Sequence, residues 1–225
     1  MNLTHDMLPI MWQVAAMLLC IIILLYALYR LPMAYFHKIN NVFFGVCVLL
    51  MVMWTIKAGI RPGLEYHYMG SVLMLLIFGW QMAILGLALI LMVMAVLGYT
   101  EWQMLGVNLL IQGIVPVISA FILLHLAMTR MSRHFFVYIF IGGFFNSAIA
   151  IALSVASGGM IMILADVYPQ GVVLYEYLPY ISLMIYPEAF LTGLVITILA
   201  VYFPHLVSSF NHYQVSMDPG NSEKS

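Results

Sequence analysis

The sequence predicts an all-α integral membrane protein, a bundle of six or seven transmembrane helices, on three observations. Hydrophobic residues make up 65% of the 225 and charged residues 7%, against roughly 45–50% and about 25% in a soluble globular domain. The few charges are gathered between long apolar runs rather than spread over a surface. The runs are about 20 residues or longer, which at about 1.5 Å per residue crosses a hydrocarbon core of about 30 Å. No soluble fold buries that much apolar surface.

The first run, Pro9 to Tyr29, carries no charge and stops at Arg30-Leu31-Pro32. The residues before it, Met1-Asn2-Leu3-Thr4-His5-Asp6, lack the basic stretch of a secretory signal, so the run reads as a retained first span. Arg30 to Asn40, with Arg30, His37 and Lys38, reads as a loop, and Val42 to Ile56 as a second helix closed by Lys57, Gly59, Arg61, Pro62 and Gly63. Met69 to Leu97 is too long for one upright span, and Gly79, Gln81 and Gly86 predict a break near its middle. Leu105 to Met128 is interrupted by Asn108, Gln112, Gly113 and Pro116, whose polar groups must find partners inside protein because lipid offers none.

Phe135 to Leu164 brings small residues, Gly142, Gly143, Ser147, Ala148 and Ala150, that allow close helix packing. Asp166 to Pro179, with Glu176 and three tyrosines, reads as an acidic interfacial loop, and Tyr180 to Phe203 as the last span. Residues 1–210 are expected to form one transmembrane domain, and the polar tail 211–225 has the composition of disorder. Counting Lys and Arg near the span ends puts five on one face and two on the other. Seven segments with the N-terminus outside, or six with it inside, satisfy the positive-inside rule equally.

Several functions are excluded at once. There is no basic stripe for nucleic acid, and GxxxxGK[ST], GxSxG, HExxH and CxxC are all absent. The chain is therefore expected not to be an enzyme and to carry no intrinsic cofactor, and energy for any uphill transport has to come from a partner or an ion gradient. Cys20 and Cys47 lie inside apolar runs and read as buried small hydrophobes.

What remains is a set of metal-ligand types at helix ends. His5 and Asp6 precede the first span; Glu65, His67 and Met69 precede the third, on the same face if the N-terminus is outside. Imidazole and carboxylate suit divalent first-row metals, although the same residues also serve as headgroup-level polar groups. The 19 methionines allow copper(I) by thioether chemistry, yet most sit in helical runs where Met is ordinary packing bulk. Asn108 and Gln112 are four apart and share a helix face, either as interhelical hydrogen bonders or as the lining of a substrate path. Glu188, beside Pro187, is interfacial, paired or protonated, because an unpaired charge near membrane depth is costly.

Two blocks of this sequence resemble a known family. Glu65-Tyr66-His67-Tyr68-Met69-Gly70-Ser71-Val72-Leu73, continuing through Leu76-Ile77-Phe78-Gly79, and Leu105-Gly106-Val107-Asn108 through Gln112-Gly113-Ile114-Val115-Pro116 are similar to conserved blocks of the CbiM family. These are the substrate-binding membrane subunits of energy-coupling-factor transporters for cobalt and nickel. The resemblance covers roughly residues 60–125 and implies a metal permease subunit in the inner (plasma) membrane. Such a subunit works with a coupling membrane protein and cytoplasmic ATPases.

The resemblance also implies that His67 is the metal-ligating histidine and that Asn108 is the asparagine of the second block, with Gln112 standing where the family has Met. The family begins Met-His, so that terminal amine, backbone nitrogen and imidazole chelate a square-planar metal. Here residue 2 is Asn2, and the internal His5 offers no terminal amine to the same chelate. His5, Asp6 and His67 are then expected as a looser set. The alternative is an accessory helical subunit that kept the fold and lost the metal.

Overall fold

Among the described residues seven helices make up most of the chain, and they follow the apolar runs. The computed structural model describes residues 7–61, 64–131 and 134–210; His5, Asp6 and the tail 211–225 lie outside the described residues. Helix α1 is Ile10–Tyr29 and α2 is Met33–Thr55. A two-stranded antiparallel hairpin follows, β1 Ala58–Arg61 with β2 Leu64–Tyr66, paired through Ala58 with Tyr66 and Gly59 with Glu65. Then come α3 Ser71–Phe78, α4 Trp80–Val96, α5 Trp102–Arg130, α6 Phe135–Leu164 and α7 Gln170–Tyr202.

Among the described residues α1, α2, α5, α6 and α7 are long and apolar enough to cross a membrane. The expected break falls at Gly79, which closes α3 and opens α4. Its φ of 85° and ψ of 166° lie in a region open essentially only to glycine, so the chain reverses at a single residue. At eight residues α3 is about 12 Å long, too short to face lipid across a bilayer. It does not have to, because all eight of its residues are buried in protein. Backbone that is not helical is tolerated ahead of it for the same reason.

Hydrogen bonds at the ends of α3 give the direction of each pass. The Ile77 carbonyl accepts from Tyr35 Oη at the start of α2, and the Leu76 carbonyl accepts from Ser209 Oγ beyond α7. The Gln81 amide reaches the Arg30 carbonyl at the end of α1. At the other end of α3, Trp54 near the end of α2 donates to the Met69 carbonyl. The broken pair therefore enters and returns at Gly79, and among the described residues α1 starts on the face opposite to the one where α7 ends. Among the described residues Arg30, Lys38 and Arg130 belong to the face of the Gly79 turn and Lys57 and Arg61 to the other, so the positive-inside rule puts the start of α1 outside.

Two boundaries differ from the sequence reading. Residues 33–40 are helical rather than a loop: the helix starts directly after Pro32 and carries His37 and Lys38 on an exposed face, so these charges do not end it. Residues 170–179 are also helical. Pro169 sits ahead of the first turn, where its missing N–H costs nothing, and Pro179 is accommodated by a change of helical pitch from the π-turn Val173–Tyr177 to the 3₁₀ turn Leu178–Tyr180. The small residues of α6 pack as expected: Gly142, Gly143, Ser147 and Ala150 are buried, and a Cβ at Gly143 would stand 3.5 Å from the Gly193 Cα of α7.

Candidate metal-binding site at the outer mouth

Residues 67–70 connect the hairpin to α3 and lie at the outer mouth. His67 is buried there, 6% exposed. Its ring packs against Trp54, with centroids 4.8 Å apart. Its Nδ1 lies 3.3 Å from the Tyr68 carbonyl and its Nε2 3.1 Å from Gln112 Oε1. Burial favours the uncharged ring, so the imidazole pKa falls from the usual 6.5 to about 3.

A neutral imidazole has one N–H to share between two oxygen neighbours. Both contacts are satisfied when Nδ1–H donates to the Tyr68 carbonyl and the Gln112 amide turns its NH₂ toward Nε2, since the two ends of an amide are assigned from their partners. That arrangement leaves Nε2 unprotonated, its lone pair accepting from the Gln112 amide. A metal-binding histidine usually has one ring nitrogen tied to a carbonyl in this way, which leaves the other unprotonated for the ion.

Gln112 reaches the ring from a π-turn, Leu110–Ile114, inside α5. Asn108, four residues earlier, is fully buried on the same helix. The structure thus joins His67 and Gln112, residues that the sequence assigned to different roles. Around them, Ser154 Oγ of α6 donates to the Ile111 carbonyl at 2.6 Å and lies 3.5 Å from Met69 Sδ. Among the described residues no three His, Cys, Asp or Glu side chains gather in a way that would hold a metal ion.

The segment itself is held by side chains that sequence reasoning had not connected to it. Trp54 Nε1 donates to the Met69 carbonyl at 3.2 Å, and Tyr68 Oη pairs with Thr192 Oγ1 at 3.2 Å. Glu188 of α7 is 3% exposed, and its two carboxylate oxygens accept from the Met69 and Gly70 amides at 2.9 and 2.8 Å. The expectation that Glu188 is paired is met, but by backbone rather than by a cation. The Glu188-x-x-x-Thr192 spacing, two polar groups on one face of an apolar helix, was the available signal.

This helical fold has counterparts among solved structures. A truncated transition metal transporter shares the fold at a TM-score of 0.79 and 16% identity, over 90% of this chain and 99% of that one. A second transition metal transporter does so at 0.78 and 16%, over 88% of this chain and 92% of that one. A comparison with proteins of curated function finds no match. The family described as the cobalt uptake substrate-specific transmembrane region, CbiM, matches residues 2–206. The chain belongs to the CbiM family: it is a multi-pass membrane component of a transition-metal transporter and not an enzyme.

Proposed function

We propose that this chain captures a divalent transition-metal ion at the outer mouth, with His67 Nε2 as the principal ligand, and passes it inward in a complex with a coupling membrane subunit and cytoplasmic ATPases. The observation that carries the reading is His67 itself: a buried, neutral imidazole whose Nδ1 faces a backbone carbonyl. Binding a cation at Nε2 displaces no proton from such a ring and needs only that the Gln112 amide swing aside or turn its oxygen to the metal. His5 and Asp6 are the remaining candidate ligands from the sequence, with Asn108 and Gln112 on the path below. The absence of a Walker signature in the chain supports separate ATPases as the source of energy. Cobalt or nickel fits the histidine and the family; copper is the further candidate because of Met69.

The test is metal content and titration of the purified protein with cobalt(II) and nickel(II), wild type against His67→Ala and His5→Ala. Wild type is expected to bind, with His67→Ala weakening affinity at least tenfold and His5→Ala by less. A wild-type protein that holds no metal, with neither substitution having an effect, refutes the reading in favour of an accessory subunit that kept the fold alone.

A further inference from the structure

Helix α3 begins without a cap of its own. Its N-cap position is Gly70, which has no side chain, and no residue of α3 supplies a capping hydrogen bond. A buried backbone amide needs an acceptor; Gly70, whose amide is one of the four that α3 leaves unpaired at its start, and Met69 just ahead of it are both buried. Their acceptor comes from another helix, through the Glu188 carboxylate, one oxygen to each amide. An ionised carboxylate accepts at both oxygens, and a negative charge is favoured at a helix N-terminus. One turn further along α7, Thr192 holds the Tyr68 hydroxyl. Every residue from 68 to 70 is thus tied to one face of α7, and His67 is the next residue in the chain.

We infer that Glu188 is a positioning residue of the metal site: by capping α3 from α7 it fixes the segment that presents His67, and it is not itself a metal ligand. The inference rests on the reading of His67 as the ligand. Each Glu188 oxygen accepts from an amide of the segment that presents His67, so the carboxylate acts on that segment through its backbone. A glutamine in its place has nearly the same size but offers one acceptor only, and it sets an NH₂ group against an amide N–H. Glu188→Gln therefore keeps the packing and undoes one of the two anchors.

The experiment is cobalt(II) titration of the full chain in detergent micelles, with the ligand-field spectrum of the bound cobalt and the thermal melting curve recorded for wild type, Glu188→Gln, Thr192→Val and His67→Ala. Glu188→Gln is expected to weaken cobalt binding at least tenfold and to change the cobalt spectrum, because the imidazole is no longer held in one orientation. Thr192→Val, which removes only the Tyr68 tie, is expected to weaken binding about threefold. A purely structural glutamate would lower the melting temperature and leave affinity and spectrum of the folded fraction at wild-type values; that result overturns the inference. If Glu188→Gln does not fold, Thr192→Val decides, and wild-type affinity in that variant overturns it. Loss of binding in His67→Ala with wild-type binding in both α7 variants refutes this inference and leaves the His67 reading standing. Wild-type binding in His67→Ala refutes both.

Discussion

Gly106→Ala is expected to destabilise this protein, for a reason that can be worked from the geometry. A Cβ at Gly106 would stand 2.6 Å from Met17 N, 2.7 Å from Met17 Cα and 3.0 Å from the Ala16 carbonyl carbon. These are backbone atoms of α1, so no rotamer change relieves the contact; α1 and α5 must separate by about 0.8 Å to restore ordinary contact. Helix α1 touches the bundle through few buried residues, Ala16, Cys20 and Ala27, and Cys20 Sγ donates to the Gly106 carbonyl at 3.1 Å. Moving α1 away loosens that whole seam. Overpacking of this kind costs about 1–3 kcal/mol, and because close approach of small residues is the main attraction between helices in lipid, the upper end is expected here.

The assay is thermal unfolding in detergent with Gly45→Ala as control, since a Cβ at Gly45 meets nothing within 4 Å. Gly45→Ala should be neutral or slightly stabilising, through the higher helix propensity of alanine, worth at most about 1 kcal/mol. For a chain of this size about 1 kcal/mol moves the melting temperature by about 2–4 °C, so Gly106→Ala should melt about 4–12 °C lower. If the two variants melt together, the α1–α5 contact is not as close as described and the argument fails.

Three further outcomes follow from the mouth. Gly70→Ala places a Cβ 2.5 Å from Leu50 Cδ2 at a φ of 67°; left-handed backbone costs a non-glycine residue about 1–2 kcal/mol, and cobalt affinity should fall together with melting temperature, whereas unchanged affinity would show that the segment tolerates a shift. In the metal-free protein the lowered His67 pKa contributes stability that is present above the ordinary imidazole value near 6.5 and is lost as pH falls toward about 3, because the unfolded chain takes up the proton first. By pH 5 this amounts to about 2 kcal/mol, read as a drop in melting temperature between pH 7 and 5 that His67→Gln should lack. Gln112→Leu leaves His67 Nε2 buried without its partner, at a cost of about 1–3 kcal/mol. Its metal-free form should melt lower than wild type and regain more on adding cobalt, and an equal gain in the two proteins would place the metal elsewhere.

Much of this protein was legible because lipid imposes a simple rule on sequence: a spanning segment must be apolar and about 20 residues long. The membrane class, the limits of the long helices, the break near Gly79 and the singling out of His67, Asn108 and Gln112 all follow from that rule or from the family blocks built on it. The two misplaced boundaries arose where the rule is silent, since an exposed His37 or Lys38 at headgroup level neither ends nor continues a helix by itself.

Tertiary structure alone decided three things. Charge counting allowed six or seven passes, and only the contacts of Tyr35, Ser209 and Gln81 at the cytoplasmic end of α3 and α4 show that the pair turns back at Gly79. The meeting of His67 with Gln112 joins residues 45 apart, a distance over which periodicity carries no information. The partners of Glu188 were hidden for a different reason: they are backbone amides, which nearly every residue possesses, so no side-chain pattern could have named Met69 and Gly70 as the groups it holds. The sequence by itself determined that a carboxylate stood in the last helix and needed a partner; the folded chain determined that the partner is the start of α3, beside the histidine.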